Sequence, residues 1–252
     1  MGPGERIDNI GFGDLKLIQK PDEFCYGIDA VLLADFAAEA RPDTVIDLGT
    51  GTGVIPLILS HKTDASKIMG IEVQVESYKR ACNNGILNQL VNRVKFIRGD
   101  VADKSVLDFA LKSISCPNGV DLVCSNPPYM ITNGALVNKN KAKAIARHET
   151  TAGIEDFIKA AAYVLKDKGH FYLVHRPSRL VDIFYYARNN KLEPKEMRLV
   201  CPQKGATANI VLIHFVKNGG AQLNLLPELA VYNDDGTYTE EINKIYQRDK
   251  VI

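Results

Sequence analysis

A chain of 252 residues, 46% of them hydrophobic, can bury one substantial core, so one globular unit is expected. Lysine plus arginine (31) nearly balance aspartate plus glutamate (30), which excludes nucleic-acid binding through the overall field and leaves only a local basic patch for that purpose. The five cysteines, Cys25, Cys82, Cys116, Cys124 and Cys201, show no CxxC spacing, which argues against a disulfide frame or a zinc site, so no metal is expected.

The opening Met1-Gly2-Pro3-Gly4-Glu5-Arg6 lacks the basic-then-apolar form of a signal peptide. No apolar run reaches the ~20 residues that span a bilayer, so a cytoplasmic protein with no membrane partner is expected. Residues 28–40 carry apolar side chains at helical spacing after Gly27 and stop before Pro42, which predicts a helix lying over one end of the sheet that follows. Residues 1–42 are read as an N-terminal cap on the core.

From residue 44 onward, short β-rich runs alternate with helical patterns, as in a mostly parallel α/β sheet covered by helices on both faces. Strands are predicted at 44–48, 67–71, 93–98 and 120–125, with helices at 54–60, 74–87 and 104–113 between them. A helix at 154–165 leads through a Gly169 turn to a strand at 170–175 and a helix at 179–189. Runs at 195–201 and 208–217 would close the sheet as antiparallel strands, making seven in all. The core is thus read as 43–217, and residues 218–252 as a polar, mixed tail with a turn at Asn233-Asp234-Asp235-Gly236.

The first chemical signal is Asp47-Leu48-Gly49-Thr50-Gly51-Thr52-Gly53 at the end of the first parallel strand. In open parallel sheets, ligands bind beyond the carboxyl ends of the strands. Glycines at alternate positions let the backbone turn sharply and leave no Cβ between it and a ligand. The dinucleotide pattern GxGxxG would need glycine at Val54, so the spacing favours S-adenosylmethionine (SAM) over a nicotinamide cofactor. Asp47 can balance the amino group of a methionine moiety. Glu72 can accept both ribose hydroxyls. Asp100, with Val101 beside it, can accept from the adenine amine, although an Asp before a helix is also a common cap.

The second signal is Asn126-Pro127-Pro128-Tyr129, where a later strand ends. An amino group on an aromatic ring or amide is a poor nucleophile, because its lone pair is delocalised. The Asn126 side-chain oxygen and the Pro127 carbonyl can accept its two hydrogens and leave the lone pair aimed at a methyl donor. The prolines fix the backbone, and Tyr129 offers a ring face on which an extruded base can stack. An Asn-Pro turn of no chemical role is the plainer reading, and the upstream glycine loop weighs against it. Cys116, Cys124 and Cys201 lack a partner base in the sequence and are read as structural. Residues 130–150 contain Lys139, Lys141, Lys143, Arg147 and His148, which could grip RNA phosphates or simply form a solvated face.

These motifs, with Phe24-Cys25-Tyr26-Gly27-Ile28-Asp29, Ala146-Arg147-His148-Glu149 and Arg198-Leu199-Val200-Cys201-Pro202, resemble the bacterial tRNA(Val) adenine-N6 methyltransferases over most of the chain. The resemblance implies a Rossmann-like class I SAM-dependent fold, SAM as cofactor and tRNA as partner, with methylation of the adenine 3′ of the anticodon. It also implies that Tyr26 and Asp29 close over the cofactor. Cys25 and Cys201 depart from the pattern, which puts fine substrate preference in doubt. Protein-glutamine N5 methyltransferases share a similar pair of motifs, and a catalytically silent RNA-binding scaffold that retains SAM binding is the non-enzymatic alternative.

Overall fold

The computed structural model describes residues 2, 4–22, 25–129 and 152–248. In chain order the elements are β1 (Arg6–Asn9), β2 (Lys16–Gln19), α1 (Ile28–Ala38), β3 (Thr44–Leu48), α2 (Val54–Lys62), β4 (Lys67–Glu72), α3 (Val75–Leu87), β5 (Val94–Arg98), α4 (Lys104–Ser113) and β6 (Val120–Ser125). They continue with α5 (Ile154–Val164), β7 (Leu165–His175), a 3-10 turn (Pro177–Arg179), α6 (Leu180–Asn189), β8 (Leu192–Gln203), β9 (Ile210–Lys217), β10 (Asn224–Leu225), β11 (Leu229–Tyr232) and α7 (Glu240–Ile245).

The main sheet runs β8-β9-β7-β6-β3-β4-β5. Its strands are parallel except for β9, which is antiparallel to both β7 and β8. The chain winds outward from β3 through β4 to β5, then returns to place β6 on the other side of β3, with Leu48 opposite Ser125. The loops after β3 and β6 therefore diverge at a topological switch point, where open α/β sheets bind ligands.

Alternation along β3 sends Val45 into one apolar layer and Ile46 and Leu48 into the other. One layer holds α1 and α2, and the second holds α4, α5 and α6. In α5, Ile154, Phe157, Ile158, Ala161 and Val164 recur at helical spacing and are buried against the second face.

Three expectations change. The 1–42 segment begins with an antiparallel hairpin, β1 and β2, and the Asn84 side chain on α3 pins β2 by accepting the Ile18 N–H at 2.7 Å. The Gly169 turn lies inside a longer, irregular β7, whose register with β6 shifts between Val120 and Leu122. The tail is not simply polar: β10 and β11 pair with the outer edge of β8, so nine strands share the sheet among the described residues. Leu229, Val231, Ile242, Ile245 and Tyr246 join the α1–α2 core cluster. Alternation at 229–231 and helical spacing at 242–246 are present in the sequence but short enough to be hidden among polar neighbours.

Candidate active site

The loop after β3 is fixed by backbone bonds together with two side chains that bond its backbone. The Gly49 and Thr50 N–H groups both donate to the Ile71 carbonyl, at 2.9 and 3.0 Å, and the Gly53 N–H donates to Thr50 at 2.9 Å. Gly53 has φ +84°, and a Cβ there would sit 2.7 Å from the Phe96 ring, so glycine is required on both counts. Gly51 also has positive φ, +57°, but a Cβ there would meet nothing within 4 Å. Its open side leaves room for a ligand to approach the backbone.

Glu72, at the end of β4, is tied to this loop. One carboxylate oxygen accepts the Gly51 N–H and the other the Gln74 N–H, both at 2.8 Å. Glu72 is thus a brace of the glycine loop as well as a strand-end acid. Asn84 donates to the Thr52 carbonyl at 2.9 Å, which joins the loop to the N-terminal hairpin; sequence reasoning missed this residue.

Asp47 is fully buried. The Cys124 thiol donates to its Oδ1 at 3.5 Å, while Oδ2 and the nearby Thr50 hydroxyl have no hydrogen-bond partner among the described residues. Burial pushes the Asp47 carboxyl up to about 7; the Thr50 hydroxyl, close by without a well-formed hydrogen bond, and the Cys124 thiol oppose that shift, and the Glu72 charge adds to it. A buried, unpaired acceptor is costly in an empty site and fits a cationic or hydrogen-donating ligand group. Asp100 accepts the Ala102 N–H at 2.9 Å, whereas Asp103 caps α4 through the Ser105 N–H at 2.8 Å. The capping alternative thus belongs to Asp103. The Val101 side chain is buried in the α4–α6 core.

After β6, Pro127 is buried, Asn126 and Tyr129 are partly buried, and Pro128 is exposed. The Tyr129 hydroxyl lies 2.8 Å from Asn126 Oδ1 and 2.8 Å from Asp29 Oδ2 in the first turn of α1. Burial, with the Asp29 charge behind it, pushes the Tyr129 phenol well above its ordinary value, so it stays protonated.

Two residues beside it carried no signal in the sequence beyond their place at a strand end. His175, the last residue of β7, meets the Tyr129 ring edge-on, with centroids 5.1 Å apart. The Arg176 guanidinium covers the ring at 4.7 Å from the centroid, so one ring face is occupied. The His175 Nδ1 accepts the Arg176 N–H at 2.8 Å, and burial holds the imidazole down to about 4, so the ring is neutral near pH 7 with its proton on Nε2.

The Tyr26 N–H donates to Gln19 Oε1 at 3.2 Å, and Asp29 meets the Asn126 end through the Tyr129 hydroxyl. Burial raises the Cys124 thiol well above its ordinary value and moves Cys201 up to about 11, so neither supplies a thiolate. Phe24, Lys139, Lys141, Lys143, Arg147 and His148 lie outside the described residues. Among the described residues no cluster of three or more candidate metal ligands occurs, and no helix is long and apolar enough to cross a membrane.

Residues 15–181 match the family model of the methyltransferase small domain. Two Porphyromonas gingivalis proteins named tRNA1(Val) (adenine(37)-N6)-methyltransferase are 31% identical to this chain. The alignments cover 66% of this chain and 64% of the first relative, and 73% of this chain and 71% of the second, from strain W83. A protein of the same name from Christiangramia forsetii is 26% identical, with 88% of both chains covered. Among solved structures, a predicted O-methyltransferase, Atu636 from Agrobacterium tumefaciens, superposes with a TM-score of 0.69 at 20% identity, covering 87% of this chain and 95% of that one. TYW2 from M. jannaschii, solved in complex with AdoMet, gives 0.55 at 17% identity, covering 86% and 88%. Both share the class I methyltransferase fold described above.

Proposed function

The chain belongs to the methyltransferase small domain family, and from that premise we propose that it is a SAM-dependent enzyme that methylates the N6 amine of an adenine in tRNA. The target we favour is adenine 37 of tRNA(Val), the substrate in the relatives' name. The observation that carries the reading is the adjacency of two unlike groups at one switch point: the unpaired Asp47 carboxyl oxygen near the end of β3, and the Asn126–Tyr129 segment after β6.

The residues present fit the cofactor. Asp47 and Thr50 offer the buried polar atoms that lack partners, Gly51 leaves an open approach, and Glu72 and Asp100 stand at the ends of the next two strands. When bound, SAM supplies an electrophilic methyl on a sulfonium. Asn126 Oδ1 and the Pro127 carbonyl accept the two hydrogens of the target amine, which frees its lone pair to attack in line. Tyr129 supports the adenine ring, with Arg176 on one ring face leaving the other for stacking. No general base is required, because an aromatic amine that has gained a methyl loses its proton readily to water.

Incubation of the protein with isotope-labelled SAM and, separately, unmodified bacterial tRNA, DNA and a release-factor protein tests this reading. Label in N6-methyladenosine from tRNA alone is expected. Label in protein glutamine would overturn it in favour of carboxamide methylation, and SAM binding with no label in any acceptor would favour a silent scaffold.

A further inference from the structure

Tyr129 has one hydroxyl hydrogen and two oxygen neighbours at the same distance, Asn126 Oδ1 and Asp29 Oδ2, each 2.8 Å away. The hydrogen can serve one of them fully at a time. Which one it serves matters for the reaction. If it points at Asn126, it takes one of the amide oxygen's two lone pairs and withdraws charge from that oxygen, so the oxygen accepts the substrate amine's hydrogen more weakly. If it points at Asp29, the amide oxygen keeps its acceptor strength.

A carboxylate is the stronger acceptor of the two, since hydrogen bonds to ionised groups are roughly twice as strong as neutral ones. Asp29 is also anchored for this task. Its other oxygen accepts the Ala30 N–H at 2.9 Å, and it stands in the first turn of α1, where a negative charge is favoured by the helix dipole. The α1 body packs on β6, β7 and β9, so the carboxylate is delivered from a rigid element.

We propose that Asp29 is a positioning residue that acts through Tyr129: it draws the phenolic hydrogen away from Asn126 and so keeps the amide oxygen free for the substrate amine. The inference rests on the amine-methylating reading above. It differs from a role for Asp29 in holding the cofactor, because it makes the effect of losing Asp29 depend on the Tyr129 hydroxyl.

The test is a double-mutant cycle read as kcat on tRNA, with SAM affinity measured on every variant by calorimetry. Asp29→Ala leaves the phenol no acceptor but Asn126 and is expected to lower kcat about tenfold, the equivalent of one hydrogen bond, with SAM affinity unchanged. Tyr129→Phe keeps the ring and removes the competitor, so Asp29→Ala combined with Tyr129→Phe is expected to be faster than Asp29→Ala alone and close to Tyr129→Phe. Asp29→Asn, a neutral acceptor of the same shape, is expected to fall between wild type and Asp29→Ala, and with Tyr129→Phe it carries the cycle if the alanine variant does not fold. A double variant as slow as or slower than the aspartate single variant overturns the proposal, as does a loss of SAM affinity that accounts for the loss in rate. Failure of the amine-methylating reading itself would show separately, as a wild-type protein that labels no amine nitrogen.

Discussion

The loops after β3 and β6 leave neighbouring strands side by side, yet they are held in different ways. The glycine loop is fixed by main-chain bonds to Ile71 and by the Glu72 brace, and its loose ends are two buried polar atoms, Asp47 Oδ2 and the Thr50 hydroxyl. The Asn126 segment is fixed by side chains, through a single tyrosine hydroxyl shared by an amide and a carboxylate and a ring clasped by His175 and Arg176. Backbone bonds make a cradle of set shape for a ligand that does not vary. Side-chain bonds can be exchanged one for another, which suits a site where a substrate hydrogen must replace a resting contact.

The sharpest way to break this comparison is Asn126→Ala. A turnover loss of about two to three orders of magnitude is expected, as for removal of one preorganised hydrogen-bonding group, with SAM affinity retained in the same sample. Gly53→Ala tests the opposite end. The positive φ and the Phe96 contact should cost about 1–3 kcal/mol of stability in a denaturant titration, because the cradle cannot relax around a Cβ. Equal stability would show that the loop is less rigid than its bonds imply.

Asp47→Asn separates ligand attraction from fold. SAM affinity should fall about tenfold or more, as for loss of a charge-assisted contact, while the unliganded protein becomes more stable above pH 7 because no buried charge remains to be formed.

The same group also sets a pH dependence. Its folded value, about 7, is raised above the ordinary 3.8, so the folded state holds an extra proton between those limits. The stability it contributes is fully present below pH 3.8 and is lost as pH rises through about 7. Cofactor affinity should move the other way, strengthening up to about pH 7 and then levelling as the carboxylate forms. Asp47→Asn should flatten both profiles in calorimetric titrations.

The cradle was far more legible in the sequence than the cluster facing it. Periodicity and turn residues placed β3 and β6 at their observed limits, and the glycine spacing marked the loop, because backbone demands select residue types directly. The partners of Tyr129 left no such mark. His175 and Arg176 become neighbours only when β7 pairs with β6, and Asp29 only when α1 packs over those strands, so their signal lies in tertiary contact and not in spacing. The strands of the tail are hidden for a related reason: β10 and β11 are too short to show a period, and they are strands because β8 offers them an edge.

The most direct measurement compares two unmodified tRNA(Val) transcripts, one with adenine and one with guanine at position 37, each incubated with isotope-labelled SAM and digested for nucleoside mass spectrometry. Label in N6-methyladenosine from the adenine transcript, absent from the guanine transcript and nearly absent when Asn126→Ala replaces the wild-type protein, is the expected result. Equal label in both transcripts, or undiminished label with the Asn126 variant, would contradict amine positioning by the Asn126–Tyr129 segment at that nucleotide.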